Sequence, residues 1–250
     1  MYGLKSFTAS LHVHTALSPC ASAEMTPQAI IGEAIRQGID LIAITDHNTV
    51  ANVEAVQAAA EGSSVCVIAG MEVQTREDVH IVCLFGSLAQ ALAWQEIVFS
   101  SLPDRLNDER LFGQQTLLNA ADQVIGKLDR MLLTSTDMGV NETVRMVKTL
   151  GGLCIPAHVD RPSYSLISHL GFIPPELDLK AVEISSRLSQ AEVRERFPFL
   201  KDYILVTAAD AHYLTDLSKG QTVFHMRNAT LEELKLTFHH IAGRKVVMSG

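Results

Sequence analysis

Histidine and acidic residues recur at the ends of apolar segments in this chain. His12 and His14 are separated by one residue, and side chains two apart on a β-strand point in the same direction. Their imidazoles would therefore lie side by side, as a metal centre requires. The same arrangement, an apolar run followed by residues rich in His and Asp, recurs at 41–47, 155–158 and 205–212. Imidazole and carboxylate are common ligands of zinc, manganese and iron, so the pattern predicts a metal site.

The number of such residues favours a shared site over separate structural roles. A single buried polar residue at a strand end usually satisfies a backbone group or another side chain. Here five histidines close a predicted strand, a sixth opens one, and three carboxylates stand beside them. A carboxylate flanked by imidazoles can bridge two ions about 3.5–4 Å apart, and Glu72 is the candidate bridge. The whole set is His12, His14, His47, His158 and His212, then His80, then Asp46, Glu72 and Asp210.

Predicted strands and amphipathic helices alternate along the chain and would position these side chains. The run 40–45 is almost entirely apolar, which is typical of a strand buried on both faces. Alternation of this kind predicts a mainly parallel α/β sheet, and about seven such units favour a closed barrel over an open sheet. In barrels the functional residues lie at the carboxyl ends of the strands. The strands are predicted at about 6–14, 40–45, 65–73, 79–85, 153–157, 181–185, 204–207 and 223–226.

Size and charge limit the classes of function. A chain of 250 residues that is 47% hydrophobic could form one barrel or two smaller domains. It has no apolar run of about 18 residues, which argues against a membrane span. The start of the chain, Met1 to Lys5, lacks the pattern of a signal peptide, so we expect a cytoplasmic protein. The net charge of -8 disfavours long nucleic acid as a partner, and the oligomeric state is left open.

Two further features concern the segment 103–135 and the cysteines. The apolar residues of 103–135 follow no clean period, so we interpret this segment as an insertion, either a hairpin or a lid.

None of the four cysteines forms a C-x-x-C pair, so the sequence predicts neither a zinc ribbon nor a disulfide framework. Three of them lie in apolar runs, where a thiol acts as a small hydrophobe. Cys20 differs, because it lies in a turn just after the His12 and His14 pair.

The ordered motifs resemble those of the PHP family, which is named for polymerase and histidinol phosphatase domains. The similarity extends from about Leu11 to Tyr213 and rests on His12-Val13-His14-Thr15, Thr45-Asp46-His47, Gly70-Met71-Glu72, His80, Pro156-Ala157-His158 and Asp210-Ala211-His212. It implies a distorted seven-stranded (β/α)7 TIM-like barrel as a single domain over 1–250. It also implies two or three divalent metal ions, of zinc, manganese or iron. The ligands implied by the resemblance are His12, His14, His47, Glu72, His80, His158, Asp210 and His212.

Two positions near these motifs need separate treatment. In the family the residue at the position of Asp46 commonly belongs to the motif without being a clear ligand, so we expect Asp46 to orient the ligands without binding a metal itself. Cys20 stands where members with three metals often have His and many polymerase-associated members have Asp. A thiolate can bind zinc, so Cys20 is either a further metal ligand or a residue that fills a turn.

The resemblance implies hydrolysis of a phosphoester. Bound metals would lower the pKa of a water molecule and give hydroxide for in-line attack on phosphorus. Arg161, just past His158, could hold a phosphate oxygen through its planar fork, and Arg187 is a second choice for substrate binding. Either arginine could equally be a solvated surface charge. Asp210, His212 and Arg161 are the candidate catalytic residues.

Three classes of function follow from these observations. The leading one is a metal-dependent phosphoesterase that acts on a small phosphorylated metabolite or nucleotide, in the manner of histidinol phosphatases or of nucleoside bisphosphate phosphatases. A second is an amidohydrolase-like metal hydrolase, in which Asp210 would act as the base. The third is a non-catalytic metal-binding regulatory module. A short nucleotide is compatible with the leading class, whereas long nucleic acid is disfavoured by the charge.

Overall fold

The computed structural model describes residues 3–247. Met1, Tyr2 and residues 248–250 lie outside this range, and the prediction about a signal peptide falls partly on the first two of them. The strands are β1 (Lys5–Val13), β2 (Leu41–Ile44), β3 (Cys66–Gln74), β4 (His80–Phe85), β5 (Thr116–Leu118), β6 (Val124–Lys127), β7 (Leu153–Pro156), β8 (Ala181–Ser185), β9 (Ile204–Ala208), β10 (Thr222–Met226) and β11 (Lys245–Val247). The helices are α1 (Pro27–Arg36), α2 (Val53–Ala59), α3 (Leu88–Ser101), α4 (Glu109–Phe112), α5 (Val140–Thr149), α6 (Leu166–Leu170), α7 (Gln190–Arg196) and α8 (Leu231–Phe238).

Seven strands form one sheet in the order β11-β10-β1-β2-β3-β4-β7. The pairs β1–β2 and β2–β3 are parallel. The other four pairs, β11–β10, β10–β1, β3–β4 and β4–β7, are antiparallel. Two small sheets stand apart from it, the antiparallel hairpin β5–β6 and the parallel pair β8–β9. The molecule is therefore a mixed α/β protein.

The predicted closed (β/α)7 TIM-like barrel is wrong, because the seven-stranded sheet is open. Within residues 3–247 the pair β8–β9 forms no ladder with β11 or β7, the two outer strands of that sheet. One isolated bridge, between Val13 and Ala211, connects the chain after β9 to β1. The antiparallel pairs have a local cause. Only residues 75–79 separate β3 from β4, and a parallel pair needs a crossover of about a dozen residues. The chain must therefore return antiparallel at this point.

Apolar side chains fill both faces of the sheet. Strand β2 shows this directly, since Ile42 and Ile44 pack into one cluster with the covering helices, whereas Leu41 and Ala43 pack into a second cluster on the opposite face. Successive side chains of a strand point to opposite faces, so an uninterrupted apolar run is what a strand covered on both sides requires. Trp94 of α3 is fully buried in the first cluster. The sheet is thus a rigid support for the residues at its ends.

None of the helices within residues 3–247 has the length and apolar composition that a membrane span requires. The cytoplasmic location stays a prediction.

The segment 103–135 contains α4 and the hairpin β5–β6. Asn52 attaches the hairpin to the rest of the molecule, because its side chain donates to the Thr116 carbonyl at 3.1 Å and accepts from the Leu118 amide at 3.0 Å.

Candidate metal centre

The seven-stranded sheet and the β8–β9 pair together bring the predicted ligands close to one another. His12 and His14 lie at the end of β1, His47 follows β2, and Glu72 lies near the end of β3. His80 is the first residue of β4, and it reaches the same edge because β4 runs antiparallel to β3 and pairs His80 with Gln74. The remaining three ligands follow β7 and β9: His158, Asp210 and His212.

Glu72 lies at the centre of this edge, with its carboxylate surrounded by five imidazoles. It is 1% exposed, and each of its oxygens faces ring nitrogens from more than one strand. The shortest approach is 2.8 Å, from His80 Nδ1 to Oε1. The others are His47 Nδ1 at 3.0 Å, His12 Nε2 at 3.2 Å, and His14 Nε2 and His158 Nε2 at 3.4 Å. The carboxylate predicted to bridge two ions is thus in contact with ligands from four other segments.

Asp210 extends the cluster towards solvent. Its Oδ1 lies 3.0 Å from His14 Nε2 and 3.4 Å from His12 Nε2, and its Oδ2 accepts a hydrogen bond from Arg161 Nη1 at 2.6 Å. Asp210 has φ 50° and His158 has φ 32°, a left-handed conformation that is uncommon for residues other than glycine. Backbone strain of this kind concentrates at functional sites, and here the two strained residues contact His14 and Glu72 of the cluster, respectively.

Cys20 joins the outer part of the cluster. Its Sγ lies 3.2 Å from His212 Nε2. Burial raises the pKa of the thiol, but hydrogen bonds with His212 and His47 outweigh this and lower the pKa to about 7. Burial lowers the pKa of His212, whereas Cys20 and Asp210 raise it, to about 9. A thiol with a lowered pKa is more readily present as thiolate, which is the form that binds a metal.

The buried polar atoms of the cluster indicate what it can hold. Within residues 3–247 both Glu72 oxygens and His12 Nε2 are buried and form no hydrogen bond of regular geometry, although they lie close to one another. The same holds for His80 Nε2 and His158 Nδ1, which are the ring nitrogens that do not approach Glu72. Such groups are costly unless something satisfies them, and a cation does so where several lone pairs converge. Three overlapping groups have all their ligand atoms within 4.8 Å of one another: His12, His14, Glu72 and Asp210; His47, Glu72 and His80; and His14, His47 and His212. The residues therefore fit divalent cations, and Glu72 belongs to two of the groups.

The pKa values of the inner residues differ in direction. Burial lowers the pKa of His12 and of His47, but Glu183 and Glu72 outweigh it at His12 and Glu72 outweighs it at His47, so both pKa values lie well above the usual value and these imidazoles would release a proton when an ion binds. Burial raises the pKa of Glu72, but His80, His12 and His47 outweigh it and hold the pKa well below its usual value. The carboxylate is therefore ionised. Burial, with His212 and His47, lowers the pKa of His14 well below its usual value, so this imidazole is neutral. An ionised carboxylate and a neutral imidazole are the forms that bind metal ions.

Glu183 of β8 belongs to the site and was not predicted from the sequence. It is 1% exposed, and its carboxylate accepts from His12 Nδ1 at 2.9 Å and from the backbone amide of His158 at 3.1 Å. It thereby fixes which nitrogen His12 turns towards Glu72, a role that carboxylates often have behind metal-binding histidines. A signal was present, because Glu183 interrupts an apolar strand and a fully buried Glu is rare unless it is paired.

Asp46 and Tyr164 support other ligands. Asp46 is buried and accepts from the Thr15 amide and from the Ser18 hydroxyl, both at 2.7 Å. The Ser18 hydroxyl also lies 3.0 Å from His14 Nδ1. Tyr164 stacks on the ring of His80 with centroids 4.6 Å apart, and its carbonyl accepts from the His80 amide at 2.9 Å.

A cavity of about 460 Å³ opens onto the cluster. Arg161 and Tyr164 line one part of it, and Phe112 and Leu133 from the segment 103–135 line another. Arg187, the second predicted substrate-binding residue, lies outside this cavity. It lines a neighbouring cavity of about 390 Å³, which Arg161 also lines. The two predicted arginines are thus brought to adjacent cavities, and Arg161 alone reaches the cluster.

No curated protein sequence matches the chain. Among solved structures, the lesion-specific endonuclease Q from Pyrococcus furiosus superposes with a TM-score of 0.72 at 18% identity, covering 97% of this chain. Endonuclease Q with a 27-mer duplex that carries an abasic lesion at the active site gives 0.72 at 19%, covering 96%. The chain spans only 58% of the endonuclease Q chains.

A structure of similar length comes from Bifidobacterium adolescentis, a protein to which metal-dependent phosphoesterase activity has been attributed. Its TM-score is 0.58 at 17% identity, covering 94% of this chain and 96% of the other. At such identities these similarities show the fold. The family follows from the sequence itself, because the family model described as PHP domain matches residues 10–151, more than half of the chain. The chain belongs to the PHP domain family.

Proposed function

We propose that this protein is a phosphoesterase that depends on two or three divalent metal ions. The observation that carries the proposal is the convergence of five imidazoles on the buried carboxylate of Glu72. Membership in the PHP family supports a metal-dependent hydrolase. An arginine beside the cluster supports a phosphate as the group that reacts, since its planar fork matches phosphate oxygens.

The three overlapping groups of ligand atoms suggest which residues would hold each ion. One ion would be held by His12, His14, Glu72 and Asp210, and a second by His47, Glu72 and His80. His158 approaches the Glu72 oxygen that His80 and His12 also face, so we assign it to the inner ions. A neutral imidazole has one lone pair for a metal, so a third ion would be held by His212 and Cys20, together with either His14 or His47 where that residue does not bind an inner ion. Divalent ions in such a site polarise phosphoryl oxygens and activate water.

The chain's own residues would orient the substrate and move protons. Arg161 donates to Asp210 through Nη1, while its Nε is buried and has no acceptor among residues 3–247. The guanidinium is therefore preoriented and still has donors for a phosphoryl oxygen. The role of His212 depends on the number of ions. With two ions its imidazole would be available to protonate the leaving oxygen, and with three it would be a ligand together with Cys20.

The cavity favours a small substrate. A volume of about 460 Å³ lies within the range of small-molecule sites, and we propose a phosphorylated metabolite or a nucleotide. A nucleic-acid phosphodiester is a second candidate. It is favoured by the similarity to endonuclease Q, whose structure holds a duplex with an abasic lesion at the active site. The net charge of -8 weighs against extended contact with a phosphate backbone.

The first experiment combines elemental analysis with a panel of substrates. The panel contains p-nitrophenyl phosphate, its diester, nucleotides, a single-stranded oligonucleotide, a duplex with an abasic site, and simple amides and lactones. We expect two or three metal ions per chain and phosphoester hydrolysis that a chelator abolishes. Turnover of amides or lactones alone would favour an amidohydrolase. A metal-containing protein that is inert towards the whole panel would be a regulatory module, and fewer than one ion, unrestored by zinc or manganese, would refute the proposal.

A further inference from the structure

Two buried cysteines lie opposite each other on neighbouring strands. Cys83 of β4 pairs with Cys154 of β7 in the antiparallel register, and both side chains pack into the same core cluster. Cys83 is 0% exposed and Cys154 is 3% exposed. Both are free thiols, and the metal centre uses neither of them. Their apolar surroundings in the sequence predicted packing alone, because the residues that bring them together are distant in the chain.

The register of the two strands shows that the cysteines approach closely. The Ala157 amide donates to the His80 carbonyl at 3.0 Å, so these two residues form a hydrogen-bonded pair. Hydrogen-bonded and non-hydrogen-bonded pairs alternate along an antiparallel ladder. Cys83 and Cys154 lie three positions further along and therefore form a non-hydrogen-bonded pair, whose Cα atoms are about 4.5 Å apart. This separation lies within the range of about 4.4–6.8 Å that a disulfide requires.

The two thiols differ in what surrounds them. Burial raises the pKa of Cys83 well above its usual value, and a hydrogen bond with the Cys154 thiol raises it further. The Cys83 thiol also donates to the Ile81 carbonyl at 3.5 Å. Cys83 is therefore a protonated thiol in the core, and the thiolate is the form that attacks an oxidant. Cys83 is thus poorly suited to react first.

Cys154 can be reached from outside the core. A cavity of about 300 Å³ opens beside β7, and Cys154 is among the residues that line it, together with Gly152 and Phe238. Among the residues that the structure describes, Cys83 does not line this cavity. A small solute therefore meets Cys154 first, and Cys83 lies opposite it on the neighbouring strand.

We infer that Cys83 and Cys154 form a reversible disulfide when a hydroperoxide enters this cavity, and that the bond fixes β7 to β4. The Cys154 sulfur attacks the peroxide, so that an S–O bond forms, the O–O bond breaks and the other oxygen leaves with the thiol proton as water or an alcohol. Cys83 then attacks the sulfur of this sulfenic acid. The S–S bond forms, the S–O bond breaks, and the hydroxyl leaves with the Cys83 proton as water. The two thiols together lose two electrons, which reduce the hydroperoxide.

The bond would act on an outer strand. Among the strands of residues 3–247, β7 forms a ladder with β4 alone. His80 is the first residue of β4, and His158 follows β7, so the bond connects two strands that position candidate metal ligands. A disulfide stabilises a fold mainly by restricting the unfolded chain, and this one would enclose the whole segment 84–153.

Peptide mapping of the peroxide-treated, metal-containing protein tests whether the bond forms. Trypsin places each of the four cysteines in a different peptide, so the linked pair is identified by mass. We expect a link between the peptides of Cys83 and Cys154 that dithiothreitol reverses. Cys66→Ala is the matched control, because Cys66 is an exposed thiol on β3, and it should leave this link unchanged. Recovery of Cys83 and Cys154 as free thiols, or links to Cys20 or Cys66 alone, would overturn the inference.

Single variants test the order of the two steps. Cys83→Ala should leave Cys154 as a sulfenic acid that dimedone traps, because the second thiol is missing. Cys154→Ala should leave Cys83 reduced, because the cavity no longer leads to a thiol. The opposite pattern, with Cys83 trapped and Cys154 reduced, would overturn the route through the cavity.

Urea unfolding of the oxidised and the reduced wild type tests whether the bond stabilises the fold. The midpoint of the oxidised protein is expected to be about 1 M higher. The double variant Cys83→Ala with Cys154→Ala, treated with the same peroxide, accounts for oxidation elsewhere, and its midpoint should not rise. A linked wild type with an unchanged or lower midpoint would overturn the inference that the bond fixes β7 to β4.

Discussion

Replacing Glu183 with Gln tests whether the metal centre depends on residues that form hydrogen bonds with its ligands. The carboxylate contacts His12 Nδ1 with both oxygens, at 2.9 and 3.0 Å, and Oε1 also accepts from the His158 amide at 3.1 Å. Glutamine has the same size and only one acceptor oxygen. The variant must therefore lose one of these contacts and turn an amide NH2 towards a donor, so His12 is no longer fixed with Nε2 towards Glu72.

The expected loss is in metal affinity. Changes to the partners of metal-binding histidines commonly reduce affinity 10- to 100-fold, which corresponds to about 1.4–2.8 kcal/mol. We expect Glu183→Gln to fall in this range, because Glu183 contacts one ligand side chain directly and the backbone of a second. The assay is a zinc or manganese titration in competition with a chromogenic chelator. Glu183→Asp, which keeps the charge, should recover part of the affinity.

Two controls separate positioning from folding. Glu195→Gln removes an exposed carboxylate on α7 and should leave metal affinity unchanged. The free energy of unfolding of the metal-free variants, measured with urea, shows whether Glu183→Gln weakens the fold as a whole. Wild-type affinity in Glu183→Gln would refute the reasoning, because it would mean that packing alone orients His12.

Three further predictions concern the substrate, the sheet and the C-terminal helix. Arg161→Ala should raise KM for p-nitrophenyl phosphate about tenfold or more with little change in urea unfolding, since it removes charge-assisted bonds to phosphate; unchanged kinetics would contradict its role. Gly70→Ala should lower the free energy of unfolding by about 1–3 kcal/mol, because the new Cβ would lie 2.9 Å from two side-chain carbons and 3.0 Å from a backbone oxygen; wild-type urea stability would disprove this. Arg244 donates two hydrogen bonds of 2.8 Å to the Glu233 carboxylate and thereby lowers its pKa. These bonds stabilise the fold fully above the pKa of about 4.3 that Glu has in the unfolded chain, and the stabilisation is lost as the pH falls through the lower pKa of folded Glu233. The stability difference between wild type and Glu233→Gln, followed by urea unfolding from pH 6 to pH 3, should shrink in acid.

Local patterns in the sequence carry most of the secondary structure. Each of the eight predicted strands is present within a few residues of its predicted bounds, because apolar runs buried on both faces differ clearly from the amphipathic helices between them. The arrangement of those strands was predicted less well. Which strand pairs with which is decided by contacts between distant residues, and alternation of strands and helices alone did not reveal four antiparallel pairs.

The parts of the site that the sequence missed depend on the same distant contacts. Most of the predicted ligands agree with one rule, that polar residues at the carboxyl ends of neighbouring strands lie close together, and the complete set was implied by the resemblance to the PHP family. Glu183 lies in the middle of β8 and contacts His12, 171 residues away in the chain, so no local spacing connects the two. Cys20 was a candidate ligand from its position after the His12 and His14 pair, but its neighbour His212 is 192 residues away. Its placement in the cluster required the fold.

His80 shows how the error in the fold and the positions of the predicted ligands are related. In a parallel barrel the first residue of a strand lies at the edge opposite the functional residues, so His80 would face away from the other ligands. The short connection 75–79 makes β4 antiparallel to β3 and carries the start of β4 to the edge where β3 ends. The approach of His80 Nδ1 to within 2.8 Å of Glu72 therefore requires the antiparallel pair. A predicted ligand at the start of a strand, when the preceding connection is too short for a parallel crossover, indicates an antiparallel pair. Such a pair interrupts the barrel at that point.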